Sequence, residues 1–335
     1  MSCSPGPRNA ISDIAGLRVG HAQDDHVRSG VTVLIAATAM TAAIDVRGGG
    51  PGVRESEALK PENLVGKADA IVFAGGSVFG LAAADGVTAL LSAAGQGLHL
   101  KPGSPAIPIV PAAVLHDLAN GGDKAWDLDP PYRRLGIEAA QAAAEDFALG
   151  SVGAGLGAMA GTLKGGIGTA SLDLGGGLIV GALVAANPVG AVHMPDSDVF
   201  WAWPWEIDGE FGGARPAADV KPAADPVPDL SRLSSLGRLA AGVNTTLAIV
   251  ACTADLTTAE AKRFAMMAQD GMSRAVRPAH TPFDGDVVFA LASGEVALDQ
   301  GPSRAVQLAR LGSAAADCLA RAIARGVWEA LHARV

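Results

Sequence analysis

The 335-residue chain carries 25 Lys and Arg against 34 Asp and Glu, a formal net charge of −9. That balance excludes the clustered basic surface a nucleic-acid partner needs, and the length allows one large or two modest domains around a substantial core. Its 3 cysteines, Cys3, Cys252 and Cys318, are far apart with neither a disulfide framework nor zinc spacing, which points to a reducing cytoplasm and, with 7 histidines that show no ligand spacing, to no metal and no cofactor.

Met1 to Asp13 lacks the charged-then-apolar pattern of a signal peptide. Ala70 to Phe73 reads as a short buried strand, followed by the glycine turn Ala74-Gly75-Gly76-Ser77 and a small-residue helix from about Phe79 to Ala94. The turn resembles a nucleophile elbow, but Gly-x-Ser-x-Gly would need glycine at Phe79. A phosphate loop would need a Gly-Lys-Ser/Thr ending that is missing, so close helix–strand packing is the expected reason for these glycines. Pro108 and Pro111 make Ala106 to Leu115 an edge strand at best, and Leu135 to Ala148 reads as an Ala-rich helix.

Glycine density rises from Gly150 to Gly177 without dinucleotide-binding spacing. Lys164 is the one charge between Gly150 and Ser171, and must snorkel, pair or face a pocket. Leu174 to Val192 is uncharged and nearly long enough to span a bilayer. A glycine turn opens it, Asn187-Pro188 closes it and no anchors flank it, so a buried strand is expected and no membrane partner. Asn187 could simply end that strand, or offer its side-chain amide to an oxyanion. Phe200 to Trp205 holds three of the 5 tryptophans and reads as packing or subunit interface before substrate pocket. The Pro, Asp and Ala-rich stretch Gly209 to Leu239 reads as a linker.

From Thr245 onward a β-α-β-α order is expected. Leu247 to Cys252 is a strand, and Thr257 with Glu260 forms a capping box for a helix burying Ala261, Phe264, Ala265, Ala268 and Met272. Val287 to Leu291 is a second strand, and Ser303 to Leu331 makes one or two helices burying Leu308, Leu311, Ala315, Leu319, Ile323 and Val327. Strands of both halves then share a sheet flanked by helices. Asn244-Thr245-Thr246 sits where linker meets strand. Asn-Thr there could merely start the strand. Cutting before Thr245 would instead give one residue a hydroxyl nucleophile and a free α-amine as its base. Asp284-Gly285-Asp286 precedes the second strand; it suits a turn, or places two carboxylates to orient an amine.

Several separated motifs together carry a resemblance. They are Ile44-Asp45-Val46-Arg47-Gly48-Gly49, Phe73-Ala74-Gly75-Gly76-Ser77, Val152-Gly153-Ala154-Gly155, Lys164-Gly165-Gly166-Ile167-Gly168-Thr169-Ala170-Ser171, Ala186-Asn187, Asn244-Thr245-Thr246-Leu247 and Asp284-Gly285-Asp286. In this order, over nearly the whole chain, they resemble the DmpA-like aminopeptidases, which include β-peptidyl aminopeptidases and the endo-type nylon-oligomer hydrolase. The resemblance implies an α/β fold, an αββα sandwich shared with ornithine acetyltransferase. It implies self-cleavage into a large fragment, 1–244, and a small one, 245–335, that stay together as one catalytic domain. Asn244 is then the last residue of the first and Thr245 the nucleophile. Asn187 matches the oxyanion asparagine, Lys164 the lysine of the glycine motif, and Asp284 and Asp286 the Asp pair of threonine-type members. His116 stands where characterised members place a tyrosine beside the oxyanion. The implied activity is hydrolysis of peptide-like amides, short peptides or small molecules, through an acyl-enzyme. An acyltransferase on the same fold and an unprocessed binding protein are the alternatives. Homo-oligomers of cleaved pairs are expected, in the form of a tetramer.

Overall fold

The structure is a computed structural model and describes residues 3–220, 226–235 and 244–333. In chain order the elements are β1 (Leu17–Asp24), β2 (Ser29–Val46), β3 (Gly52–Arg54), β4 (Lys67–Ala74), α1 (Ala83–Ala93), β5 (Ala112–Val114) and α2 (Tyr132–Gln141). Then come β6 (Met159–Ala160), β7 (Leu163–Lys164), β8 (Gly166–Asp173) and β9 (Ile179–Asn187). The C-terminal part adds β10 (Thr245–Ala254), α3 (Thr258–Ala268), α4 (Asp270–Ala275), β11 (Val287–Val296) and α5 (Pro302–His332).

The strands run in the order β3-β5-β4-β2-β11-β10-β9-β8, with β1 also on β2. Side-chain alternation along them builds three apolar layers. On β10, Leu247, Ile249 and Ala251 enter a central core with Leu34 of β2, Phe73 of β4 and Leu183 of β9. Ala248, Val250 and Cys252 face the other way, onto Phe264 of α3, Met272 of α4 and Leu319 of α5. A third core joins Val31 and Val33 of β2 and Val72 of β4 to Val87 of α1 and Leu135 of α2. The sheet is therefore folded over its own core with helices outside each half, an αββα arrangement.

β2 makes the fold-over possible. Its first part pairs with β1 and β4, and Thr41 to Val46 pair with β11. The register breaks between Ile35 and Met40, where Ala37, Thr38 and Ala39 are exposed. Beyond that break Ala43 has left the α1–α2 layer for the α3–α5 layer.

Several expectations are corrected in detail. β5 is an inner strand, antiparallel to β3 and parallel to β4, because Pro108 and Pro111 end just before it. The helix expected from Phe79 begins as a 3₁₀ turn, Ser77–Ala82, and becomes α-helical at Ala83. α2 starts directly after Pro131 and stops at Gln141, because Ala144 leaves to bridge Val19. The closing helix is single and continuous from Pro302 to His332. The Thr257–Glu260 capping box forms at α3, but the helix expected to reach Met272 ends at Ala268, and Met272 lies on α4.

The stretch read as a linker is in part packed. Phe211 is buried, and Glu210 pairs with the buried Arg321 at 2.5 Å. Residues 221–225 and 236–239 of it lie outside the described residues. Trp201, Trp203 and Trp205 take Arg277, Arg215 and Arg274 over their rings, as the packing reading expects. Among the described residues, no helix is long and apolar enough to cross a membrane.

Candidate active site

Thr245 opens β10, the strand that pairs with β9 on one side and β11 on the other. Its residue partner across the antiparallel β9–β10 ladder is Asn187, the last residue of β9. Directly opposed residues send their side chains to the same face, so strand geometry alone puts the hydroxyl and the carboxamide together. Both residues are buried, as are Asn244, Asp284 and Asp286.

The peptide between Asn244 and Thr245 has a specific environment. Thr245 Oγ1 lies 2.6 Å from the Asn244 carbonyl oxygen and donates to it. The Gly285 N–H donates to the same carbonyl at 2.8 Å. Two donors on one carbonyl oxygen polarise its carbon toward addition. Gly285 must be glycine to come so near: a Cβ there would sit 2.6 Å from Thr245 Oγ1 and 2.8 Å from the Gly50 carbonyl oxygen.

The Asp pair lies beside this peptide, and each carboxylate holds backbone rather than Thr245 itself. Asp286 Oδ1 accepts from the Thr246 N–H at 2.8 Å, and Oδ2 from the His280 N–H at 3.1 Å, with His280 Nδ1 at 2.9 Å. Asp284 Oδ1 accepts from the Val189 N–H at 3.1 Å, two residues past Asn187, while Oδ2 takes the Thr281 N–H and hydroxyl. The loop after β2 pins this segment from outside, with Arg47 N–H on the Asp286 carbonyl and Gly50 N–H on that of Asp284.

Burial, reinforced by the neighbouring Asp286, raises the Asp284 carboxyl to about 6, against the bonds from Thr281 and Val189. The folded chain therefore holds this proton more tightly than the unfolded one. The stabilisation from that proton is fully present below about pH 4 and is lost as pH rises through about 6. Asp284→Asn should flatten the fall in melting temperature between those pH values. A melting profile of the same shape in both proteins would refute this.

Asn187 Oδ1 accepts from the Met159 N–H at 2.9 Å, and its Nδ2 makes a long, 3.4 Å bond to the His116 carbonyl. A carboxamide has two N–H groups, so one remains for an oxyanion. His116 thus meets Asn187 through its backbone, whatever its side chain. Burial pulls its imidazole below the usual value, against the charge of Asp117. Lys164 lies on the exposed side of the β6–β7 hairpin, opposite Met159, and none of the described residues pairs with its ammonium. Across the hairpin, its partner Met159 is the residue that holds the Asn187 side chain.

Sequence reasoning missed two groups here. Arg232, inside the expected linker, donates Nη2 to the carbonyls of Met159 (2.9 Å), Pro188 (3.1 Å) and Asn187 (3.4 Å). Burial lowers its guanidinium to about 10, against the attraction of Asp284. His280 is the other, and no spacing marks it. The Gly75-Gly76 turn belongs to packing: the buried Asp117 accepts the Gly76 N–H at 2.7 Å, and a Cβ at Gly80 would strike the Gly75 carbonyl. A cavity of about 740 Å³ beside α2, lined by Asp24, Trp126 and Arg134, includes none of the residues around Thr245. Among the described residues, no cluster of His, Cys, Asp or Glu could hold a metal ion.

The layered fold has solved counterparts. The chain superposes on a Burkholderia sp. beta-aminopeptidase with a TM-score of 0.69 at 24% identity, covering 97% of this chain and 88% of that one. An l-aminopeptidase d-ala-esterase/amidase from Ochrobactrum anthropi, described as a variant of the Ntn hydrolase fold, gives a TM-score of 0.68 at 20% identity, over 97% and 87%. The architecture is that of the Ntn hydrolases.

The sequence matches peptidase family S58 over residues 9–334, and the chain belongs to that family. An uncharacterized aminopeptidase of Mycobacterium tuberculosis is 44% identical over 340 residues, covering 96% of this chain and 94% of the relative. A 6-aminohexanoate-oligomer endohydrolase of Kocuria sp. is 28% identical over 307 residues, covering 89% and 79%. The protein is a hydrolase acting on amide bonds.

Proposed function

We propose that the protein is a self-processing aminopeptidase whose nucleophile is Thr245, generated by cleavage of the Asn244–Thr245 bond. The observation that carries this is the doubly held Asn244 carbonyl, with Thr245 Oγ1 at 2.6 Å and the Gly285 N–H at 2.8 Å. Oγ1 adds to the Asn244 carbonyl carbon and the oxyanion takes the Gly285 N–H. The hydroxyl proton passes to the Thr245 nitrogen as the C–N bond breaks. Water then hydrolyses the ester, leaving the Asn244 carboxylate and a Thr245 with free hydroxyl and α-amine.

In turnover the amine removes the hydroxyl proton while Oγ1 attacks the substrate amide. The free N–H of Asn187 receives the oxyanion, the amine product leaves, and water releases the acyl group. Asp284 and Asp286 keep the strand ends in place and lend negative charge near the new ammonium, favouring its retention of a proton. Lys164 and His116 flank the site, one on the hairpin that holds Asn187 and one through its carbonyl. Substrates are short peptides or small peptide-like amides. The reading includes a cytoplasmic location, in keeping with free Cys3, Cys252 and Cys318, and a tetramer of cleaved pairs.

Purified protein on a denaturing gel should show a small fragment of roughly 9 kDa. Its N-terminal sequence should begin Thr-Thr-Leu-Ala. Fully active protein running as one intact 33.5 kDa band would sink the proposal.

A further inference from the structure

The segment from His280 to Asp286 touches the peptide chain on both sides of Thr245. Gly285 donates to the carbonyl before it at 2.8 Å, and Asp286 accepts from the N–H after it, that of Thr246, at 2.8 Å. Each contact fixes one flank of the residue whose hydroxyl must meet the Asn244 carbonyl. The segment is closed on itself by Thr281, which donates its hydroxyl to Asp284 at 2.6 Å, and is backed by Gly48, where a Cβ would lie 2.3 Å from the Asp286 nitrogen.

What sets the rotation of the Asp286 carboxylate is then decisive. Oδ1 is committed to Thr246, so the plane is fixed by what holds Oδ2. Two donors hold it, both from His280: the backbone N–H at 3.1 Å and, as the one side chain there among the described residues, ring Nδ1 at 2.9 Å. Because the carboxylate only accepts, Nδ1 carries the proton in this contact. The ring is mostly buried, with 20% of its side chain exposed. His280 also has φ +57, a left-handed conformation in which His, Asn and Asp are enriched among non-glycine residues. Such backbone is costly and persists where the surroundings impose it.

We infer that His280 is a positioning residue for self-cleavage: it latches the Asp286 carboxylate, which with Gly285 clamps the scissile peptide against Thr245 Oγ1. The inference rests on Thr245 being the nucleophile, and goes beyond it in assigning His280 a role. A histidine that merely fills a turn would be replaceable by any residue that tolerates the same backbone.

Three substitutions separate these cases. Glycine accepts φ +57 without strain but offers no side-chain donor. Asparagine tolerates the same backbone, and its Nδ2 can donate from nearly the position of Nδ1. Aspartate tolerates it too and places a second negative charge against Asp286. Self-cleavage is followed as conversion of full-length chain to fragments after cell-free synthesis, with circular dichroism to verify folding. Loss of a charge-assisted hydrogen bond should slow cleavage about ten- to hundredfold in His280→Gly and His280→Asp. His280→Asn should stay within about threefold of the wild type, as a retained donor requires.

Wild-type rates in the glycine or aspartate variant, or an asparagine variant as slow as glycine, would overturn the latch. If His280→Gly does not fold, the contrast between His280→Asn and His280→Asp decides in the same way. A wild-type chain that is never cut at Asn244–Thr245 removes the nucleophile reading itself, a result distinct from unequal or equal rates among cleaved variants.

Discussion

Thr245→Ala will remain a single 33.5 kDa chain and will lose amide hydrolysis with its processing. One atom accounts for both losses. Oγ1 is the group 2.6 Å from the Asn244 carbonyl oxygen, and without it neither the N-to-O acyl shift nor an acyl-enzyme can form. Removing the nucleophile of a hydrolase costs on the order of 10⁴ or more in rate, so both activities should fall to background. Folding should persist, because methyl for hydroxyethyl at a strand end leaves the β9–β10 and β10–β11 ladders intact. Thr245→Ser keeps the oxygen but loses the γ-methyl that restricts χ1. Its hydroxyl would spend part of its time turned away, and cleavage should slow about two- to tenfold. A gel and an aminoacyl p-nitroanilide assay read both effects. Normal hydrolysis by the alanine variant would move the nucleophile elsewhere, first to Ser77, whose φ of +53 marks a constrained turn.

The parts of this site legible in the sequence are those where a polar residue interrupts a strong pattern. Asn187 ends the run to Ala186, Thr245 starts the run to Ala254, and the Asp pair precedes Val287. Strand ends are readable because apolar strands are, and the ladder then makes Thr245 and Asn187 partners. The β-α-β-α order after Thr245 was readable for the same reason, with the capping box marking α3. β1 and β2 were not. Their residues include Gly, His, Thr and Ala rather than a run of large apolar groups, and β2 bends through exposed Ala37 to Ala39. Arg232 and His280 escaped because their role depends on tertiary placement: one reaches three carbonyls from a proline-rich segment, the other meets a carboxylate through an unusual backbone turn. Gly285 was visible only as turn chemistry, since a main-chain donor has no sequence signature.

That main-chain donor yields the second large effect expected, in Gly285→Ala. Its φ lies outside the left-handed region, so alanine adds no backbone strain, only a methyl group. The methyl would sit 2.6 Å from Thr245 Oγ1, 3.3 Å from its Cγ2 and 2.8 Å from the Gly50 carbonyl oxygen. A carbon cannot stay that close to an oxygen, and of the two oxygens the hydroxyl moves more cheaply, by rotation about χ1. Rotation carries Oγ1 off the Asn244 carbonyl. If Thr245 holds its place, the loop itself must retreat, and the Gly285 N–H leaves the same carbonyl. Either adjustment dismantles the arrangement around the scissile bond. The stability cost of one inserted methyl is about 1–3 kcal/mol, which a domain of this size tolerates. The same methyl is felt directly in the kinetics, because a misplacement of about 1 Å between reacting groups lowers rates about a hundredfold. Gly285→Ala should therefore melt cooperatively a few degrees below the wild type while accumulating as uncut chain. Cleavage at the wild-type rate in a folded Gly285→Ala protein would show that the approach of Gly285 to Thr245 has no part in the reaction.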